Sequence, residues 1–168
     1  MNLFAKLSGD GATIPPRADS GTIVKAWFGS LLAIAAVGLA ANSMQLALVL
    51  GSFGASCVLV FGYPDLPFSQ PRNVLFGHVL SSVVGLLFLT AFGPHWWAMA
   101  LATATAVALM MATRTTHPPA GSNPVIVFLT QPGWSFVLFP TAFGIVILLL
   151  TALIYNNVTR KSRYPKYW

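Results

Sequence analysis

A histidine followed by two prolines interrupts the most apolar part of this chain. The stretch THPPAGSNP, residues 116–124, stands between two long apolar segments. His117 has the widest chemistry in it, because a neutral imidazole both donates and accepts hydrogen bonds, and a protonated one adds a charge that helps to hold an anion. The alternative is a structural histidine that bonds a nearby carbonyl group.

The residues on either side of this histidine predict a break in the backbone. Pro118 and Pro119 lack N–H groups, and each disfavours helix at the residue before it, so His117 and Pro118 are expected to be extended. Gly121 permits either a positive φ angle or the close approach of a ligand.

A new helix is expected directly after the break. Ser122 and Asn123 are favourable N-cap residues, and Pro124 suits the first helical position. Helix N-termini present free N–H groups and the positive end of a dipole, which suit a small anion. A plain loop at the membrane surface is the alternative interpretation.

A second stretch of small residues, GSFGAS at 51–56, indicates an internal repeat. GASCVLVF at 54–61 aligns with GSNPVIVF at 121–128, with four identities in eight positions and an offset of 67 residues. The same offset places the first long apolar segment near the fourth and the third near the last. Each unit then reads as long helix, broken element, long helix. Because three crossings is an odd number, the second unit must be inverted, and inverted repeats with broken helices are typical of transporters.

The two broken elements are expected to bring helix starts, at Ser56 and at Ser122 or Asn123, together near the bilayer midplane. Non-helical backbone at that depth must line a cavity or pack within protein. The predicted substrate-binding residues are His117, Gly121, Ser122, Asn123, Gly54, Ala55, Ser56 and His78.

Several of these residues have two interpretations. His78, one turn into the third apolar segment, either lines the cavity as a proton carrier or gate, or hydrogen-bonds across helices. Arg72 and Arg114 either attract anions to the inner mouth or only determine topology. Pro118 and Pro119 are grouped with these arginines as gating residues. His95, in the turn GPHW, is expected to lie at the membrane interface.

Composition identifies the class of protein. The chain has 168 residues, of which 56% are hydrophobic and only 7% charged, against about 25% charged in soluble domains. The net charge of +6 does not indicate nucleic-acid binding, because the basic residues lie at the chain ends and in short connections. We therefore expect an integral membrane protein whose main partner is the lipid bilayer.

The acidic residues and motifs that the apolar segments lack make several functions unexpected. The three acidic residues, Asp10, Asp19 and Asp65, all lie outside the apolar segments, whereas cation sites and carboxylate proton relays usually need an acid inside one. No nucleotide motif, metal-ligand spacing or base–nucleophile pair is visible. The expectation is a protein that is not an enzyme and needs no cofactor or metal.

The basic residues orient the chain in the membrane. They fall in four places, and if residues 120–130 form a short fifth crossing, all four are cytoplasmic and the turns 43–44, 93–95 and 131–134 lie outside. A five-span count would put the charged C-terminal tail outside. The apolar segments are 23–42, 45–61, 74–92, 96–113 and 135–155, besides the short 120–130.

The predicted fold is an all-α membrane protein with about six crossings, arranged as two inverted three-helix repeats with broken or half helices at 51–61 and 118–131. Residues 1–22 lack the apolar region of a cleavable signal peptide and are expected to form a cytoplasmic tail. A single transmembrane domain occupies 23–157, with repeat 1 at about 23–92 and repeat 2 at about 96–157. Residues 158–168 form a basic cytoplasmic tail.

Three motifs in order, GSFGAS at 51–56, QPRNVLFGH at 70–78 and HPPAGSNP at 117–124, resemble those of the HPP family of small integral membrane proteins. The resemblance covers roughly residues 20–157. Family members in cyanobacteria and plastids are associated with nitrite transport, so the resemblance implies transport of nitrite or a similar small anion. It also suggests a bacterial or cyanobacterial inner (plasma) membrane.

Two other functions stay open. One is a channel for anions or for small neutral acids such as nitrous acid, and the other is a non-transporting membrane subunit of a partner complex. Because 168 residues is small for alternating access, a homo-oligomer, dimer or trimer, is expected.

Overall fold

Six α-helices account for most of the residues that the structure describes. The computed structural model describes residues 15–44 and 50–168, and within these ranges it contains no β-strand. The helices are α1 (Ser20–Met44), α2 (Gly51–Cys57), α3 (Pro71–Phe92), α4 (Trp96–Ala112), α5 (Asn123–Thr130) and α6 (Phe143–Thr159). The predicted all-α fold is confirmed to this extent.

Among the described residues, three helical segments are long and apolar enough to cross a membrane. They are Ser20–Met44, Pro71–Phe92 and Trp134–Thr159, and the shorter apolar helices are Gly51–Gly62 and Trp96–Ala112. The number of crossings and the inverted arrangement of the repeats therefore stay predictions.

On α4, alanines face the bundle and several large apolar residues face outward, the reverse of a helix on the surface of a soluble protein. In α4, Ala98, Ala102 and Ala106 are completely buried, whereas Leu101 and Met111 are exposed. Helices that pack through small residues approach closely and leave their large side chains to lipid. The outer surface of the bundle is thus suited to hydrocarbon, as expected for an integral membrane protein.

The stretch GSFGAS is helical, which corrects the expectations of a broken element there and of a helix that starts at Ser56. α2 begins at Gly51 after an extended Leu50 and runs directly into a π-helical turn, Val58–Gly62. Ser56 therefore lies inside the helix, and the prediction that a helix starts there is wrong. Because Ser52 and Ser56 turn into the protein, the small polar residues need not stay in an open loop.

Both ends of α1 differ from the predicted boundaries. The predicted turn at 43–44 belongs to α1, which ends at Met44. Residues 45–49, predicted to begin the second apolar segment, and residues 1–14 of the predicted N-terminal tail lie outside the described residues. The tail was predicted to reach residue 22, but α1 begins at Ser20.

The second broken element is a 3₁₀ turn followed by a short helix. His117 is extended, at φ −137° and ψ 100°, as predicted. Pro118 is not, because a 3₁₀ turn occupies Pro118–Ser122, and proline is tolerated in a first helical turn, where its N–H would be unpaired anyway. α5 begins at Asn123, as predicted, and ends at Thr130, after which Gln131 takes the left-handed conformation.

The C-terminal tail folds back on the loop that precedes α3. The Tyr164 hydroxyl donates to the Ser69 carbonyl at 2.7 Å, and the Lys166 N–H donates to Gln70 Oε1 at 2.7 Å. Asp65 forms ion pairs with Arg160 and Lys166, and the Arg160 hydrogen bond lowers the pKa of the Asp65 carboxyl below its ordinary value. The tail predicted at 158–168 is thus docked, and α6 extends to Thr159.

Packing brings the stretches 51–62 and 118–130 to the middle of the bundle. α1 packs on α6 and on the π-helical turn, while α3 packs on α4 and α5. Gly85 of α3 lies so close to α5 that a Cβ there would come within 2.9 Å of the Pro124 Cα. As a result the end of α2, the first half of α3 and the start of α5 share one buried region.

Candidate functional site

A serine hydroxyl lies between two imidazole rings in this buried region. Ser56 Oγ is 3.0 Å from His78 Nε2 and 2.8 Å from His117 Nε2. The three residues, called here the histidine–serine triad, come from α2, α3 and the segment before the 3₁₀ turn, and each is 0% exposed. The two rings have their centroids 5.1 Å apart.

A backbone carbonyl determines the tautomer of His117. Nδ1 of this ring lies 2.6 Å from the Phe68 carbonyl oxygen. Because a carbonyl only accepts, Nδ1 carries a proton and donates it. The other ring nitrogen, Nε2, is thereby turned toward Ser56.

Asn123 performs the same role for His78. Its Nδ2 donates to the His78 carbonyl at 3.2 Å and to Ser82 Oγ at 2.9 Å, which fixes the orientation of the amide. Its Oδ1 then lies 3.3 Å from His78 Nδ1, so this nitrogen also carries a proton. Both histidines therefore present Nε2 to the same hydroxyl group.

The hydrogen bonds continue beyond Asn123 and form an unbroken path. Ser82 Oγ lies 3.1 Å from Thr141 Oγ1, which joins α3 to the turn before α6. We call the whole path the polar chain. In order, it contains the Phe68 carbonyl, His117, Ser56, His78, Asn123, Ser82 and Thr141.

The polar chain reaches the middle of α3. At about 1.5 Å rise per residue, His78 lies roughly 10 Å and Ser82 roughly 16 Å along the helix from Pro71. The surroundings are apolar, with the Phe53 ring edge-on to His78 at 5.7 Å. Polar groups at membrane depth are rare and are usually functional.

Four of the predicted site residues meet here. His117, Ser56, His78 and Asn123 all belong to the polar chain and all are completely buried. They come from positions as far as 67 residues apart, between Ser56 and Asn123. A serine within hydrogen-bond distance of two imidazoles is also a base–nucleophile pair that no local motif in the sequence revealed.

The other predicted binding residues lie outside the polar chain. Gly54 and Ala55 are exposed on the opposite face of α2. Gly121 is half-buried, and nothing lies within 4 Å of the position that a Cβ would take there. Ser122 is exposed, and its hydroxyl donates to the Pro119 carbonyl at 2.8 Å instead of capping α5.

The structure also does not place two helix N-termini with unpaired N–H groups at Ser56 and Asn123, as was expected. The Asn123 N–H bonds the Ala120 carbonyl, because the 3₁₀ turn leads into α5 without a gap. α2 begins at Gly51, more than one turn before Ser56. Side chains, not unpaired backbone N–H groups, are thus the polar groups that converge in the structure.

The arginines form a contact between two helix ends. The Arg72 guanidinium donates to the Arg114 carbonyl at 2.6 Å, which ties the start of α3 to the residues after α4. Arg114 itself is exposed and has a positive φ of 56°. Of the grouped prolines, Pro118 is exposed and Pro119 is buried. Attraction of anions and gating by these residues stay predictions.

Two members of the polar chain, Ser82 and Thr141, were missed in the sequence. Ser81 and Ser82 stand together in the middle of a long apolar helix, a signal that could have identified them. Thr141 follows a proline and gave no comparable signal. His95 is exposed and stacks on Trp97 with the rings 5.7 Å apart, consistent with an interface position.

Metal-ligating side chains do not cluster in the part of the chain that the structure describes. Within 15–44 and 50–168, no group of three or more histidine, cysteine, aspartate or glutamate residues is arranged to hold a metal ion.

Comparison with known proteins gives one family. The family model described as "HPP, transmembrane region" matches residues 15–165. Two Dictyostelium discoideum proteins named only as transmembrane proteins are 37% identical over 181 residues and 36% identical over 180 residues, and both alignments cover 100% of this chain.

The relatives are longer than this chain. The alignments cover 64% and 58% of their lengths, so the chain spans about three fifths of them. Their organism gives no support to the expected bacterial membrane. No solved structure matches the chain.

Proposed function

The chain belongs to the HPP transmembrane family, and from this premise we propose that it transports a small inorganic monovalent anion, with nitrite as the first candidate. The observation that carries the proposal is the polar chain, which places two histidines, a serine and an asparagine at depth in an apolar helical bundle. Structural needs alone rarely retain so many polar groups there.

The chemistry of the polar chain favours an anion over a cation. Its groups are imidazoles, hydroxyls and an amide, all of which can donate hydrogen bonds, and an imidazole donates from both ring nitrogens once it is protonated. The described acidic residues, Asp19 and Asp65, lie before α1 and in the loop before α3, and neither belongs to the polar chain. Arg72 and Arg114 lie near the end at which the polar chain begins, where positive charge attracts anions.

Six crossings in two inverted repeats form part of the proposal, and the spacing of the helices supports them. Moved by 67 residues, the helical stretch 51–62 falls on 118–129 and α3 falls on 138–159. These stretches are themselves helical in the structure, except at Phe139, where the backbone is extended. The same offset relates Ser56 to Asn123, and these two side chains contact the two ring nitrogens of His78.

A closed state fits the burial of the triad. His78, Ser56 and His117 have no exposed surface, so an anion reaches them only when the packing around the broken elements opens. We propose that the two repeats move relative to each other, with both termini cytoplasmic, and that the chain works as a dimer or trimer. Catalysis is not proposed, because Ser56 lies inside a helix and its neighbouring N–H groups do not form an oxyanion site.

Nitrite influx into liposomes that contain the purified full chain tests the proposal. We expect uptake faster than in empty vesicles, with saturation, and a loss of about tenfold or more for His117→Ala, since a hydrogen bond to a charged group is worth about 1.5–3 kcal/mol. His95→Ala is the matched control, because His95 is exposed and stacks on Trp97.

Other outcomes distinguish the alternative functions. Ohmic conductance without saturation would identify a channel. Uptake equal to that of empty vesicles would indicate a non-transporting subunit and would refute the proposal.

A further inference from the structure

The histidine–serine triad has fewer protons than its contacts require. His117 Nδ1 and His78 Nδ1 each donate to an oxygen that only accepts, the Phe68 carbonyl and Asn123 Oδ1. When both rings are neutral, each Nε2 is therefore a lone-pair acceptor. Both acceptors face one hydroxyl, at 3.0 and 2.8 Å, and that hydroxyl has a single proton.

A third acceptor near the same hydroxyl increases the shortage of protons. Ser56 Oγ also lies 3.0 Å from the Ser52 carbonyl. Whichever acceptor receives the proton, at least one buried Nε2 is left facing oxygen lone pairs. Buried polar groups are almost always satisfied, and leaving one unpaired costs about 1–3 kcal/mol.

One added proton completes the triad. One ring then donates from Nε2–H to Ser56 Oγ, and the Ser56 hydroxyl donates to Nε2 of the other ring. The reverse arrangement follows when the Nε2–H proton moves to Oγ and the Oγ proton moves to the second Nε2. The number of protons is the same in both arrangements, and the positive charge has moved from one histidine to the other.

We propose that the histidine–serine triad binds one exchangeable proton, passes it between His78 and His117 through Ser56, and thereby couples anion movement to a proton. The coupling rests on the proposed transport of an anion, whereas the bound proton does not. An imidazolium next to a monovalent anion forms a neutral pair, which avoids leaving a single charge in a low-dielectric bundle. The transported unit is then one anion with one proton.

No other ionisable group competes for this proton among the described residues that pack on the triad. On α2, the Cys57 thiol forms a hydrogen bond with Ser30. On α3, Arg72 is bonded to the Arg114 carbonyl, and from the C-terminal tail the Tyr164 hydroxyl donates to the Ser69 carbonyl. The remaining neighbours are uncharged: the Phe53 ring, the Asn123 amide and the Met110 thioether, which lies beside Gly77.

Nitrogen NMR of the full chain labelled with ¹⁵N-histidine tests the bound proton without any substrate. His95→Gln removes the signal of the exposed histidine. As the pH is lowered from about 8 to about 4, a range that includes imidazoles whose charged form is disfavoured by burial, we expect a protonated ring whose charge is shared between His78 and His117. Two neutral rings with one N–H each throughout this range would overturn the proposal.

Two serines on one helix provide a matched pair of variants. Ser52 lies one turn before Ser56, is also buried, and its Oγ has no hydrogen-bond partner among the described residues. Ser56→Ala should abolish charge sharing between the rings, and Ser52→Ala should leave it intact. Ser56→Thr keeps a hydroxyl at the same position and should restore the sharing, which separates loss of the relay from loss of folding. Equal spectra for Ser56→Ala and Ser52→Ala would refute the role of Ser56.

Liposomes that contain a pH-sensitive dye test the coupling. With the membrane potential clamped, nitrite influx should acidify the interior with about one proton per anion, after the leak of nitrous acid through empty vesicles is subtracted. Nitrite influx without acidification would refute coupling and leave anion transport in place. An absence of nitrite influx would refute transport and with it the coupling, while the NMR result would still decide whether the triad holds a proton.

Discussion

At the scale of single residues, Ser122 and Asn123 show how neighbours with the same predicted role take different ones. Both are favourable N-caps, and both were predicted to bind the substrate. In the structure Asn123 is completely buried and bonds His78 and Ser82, whereas Ser122 is exposed and bonds only the Pro119 carbonyl. Because of the geometry of the 3₁₀ turn, the Ser122 side chain points outward and the Asn123 side chain points inward.

This difference predicts unequal effects on stability. Asn123→Ala would leave the His78 carbonyl and Ser82 Oγ with fewer partners in a buried region, so we expect a loss of about 1–3 kcal/mol. Ser122→Ala, the adjacent control, should change stability by less than about 0.5 kcal/mol, as surface substitutions do. Denaturant unfolding in detergent measures both. A similar loss for the two variants would show that Asn123 does not hold the polar chain together.

The Asp65 carboxylate predicts a dependence of stability on pH. Its pKa is lowered, first by the Arg160 hydrogen bond, so its contribution is present above the unfolded pKa of about 3.9 and is lost as the pH falls through the lower folded-state value. Asp65→Asn should therefore lower the unfolding temperature slightly at neutral pH, and the difference should shrink as the pH falls below about 3.9 toward the lower folded-state pKa. The measurement is the unfolding temperature of both proteins across this range. A difference that persisted at the acidic end would mean that the charge of Asp65 is not the cause.

At the scale of helices, local rules succeeded where one short segment determines its own conformation. The extended His117 and the start of α5 at Asn123 follow from proline geometry and capping preferences. The same rules failed at GSFGAS, because two glycines and two serines indicate a break only when nothing nearby favours a helix. There, burial of Ser52, Phe53 and Ser56 against the rest of the bundle decides the conformation.

The triad itself was only partly predictable from the sequence. The histidines were recognisable as polar residues in apolar surroundings, and the offset of 67 residues related Ser56 to Asn123. That Ser56 lies between the two rings depends on the packing of three elements, and their residues are separated by 22 and 61 positions along the chain. Periodicity and capping carry no information about contacts at such separations.

Two glycines in long helices provide a test of helix packing. A Cβ at Gly85 would lie 2.9 Å from the Pro124 Cα, so Gly85→Ala must push α3 away from α5, at a cost of about 1–3 kcal/mol. At Gly38 of α1 nothing lies within 4 Å of a Cβ, so Gly38→Ala should be neutral or stabilise by up to about 1 kcal/mol. Unfolding in detergent and the NMR signals of the triad report both effects. Equal stability of the two variants would contradict the close contact between α3 and α5.

At the scale of the whole molecule, the segment from Arg114 to Gln131 determines the topology. Laid end to end at their usual rises per residue, the extended residues 115–117, the 3₁₀ turn and α5 measure about 32 Å, against a hydrocarbon core of about 30 Å. The segment is therefore long enough to cross, although α5 alone is not. An odd number of crossings would separate the two termini, and an even number keeps them on one side.

Cysteine labelling decides between these topologies. In a Cys57→Ala background, which removes the single native thiol, Pro94→Cys and Gln131→Cys each place a thiol at an exposed turn. With six crossings and a cytoplasmic N-terminus, a membrane-impermeant maleimide added outside should label both positions in intact cells. Ser162→Cys, exposed in the C-terminal tail, should react only after the membrane is permeabilised. Labelling at 94 but not at 131, together with labelling at 162 from outside, would establish five crossings. The two repeats would then not be inverted copies of each other, and Ser56 and Asn123 would meet at His78 without the symmetry that their spacing indicates.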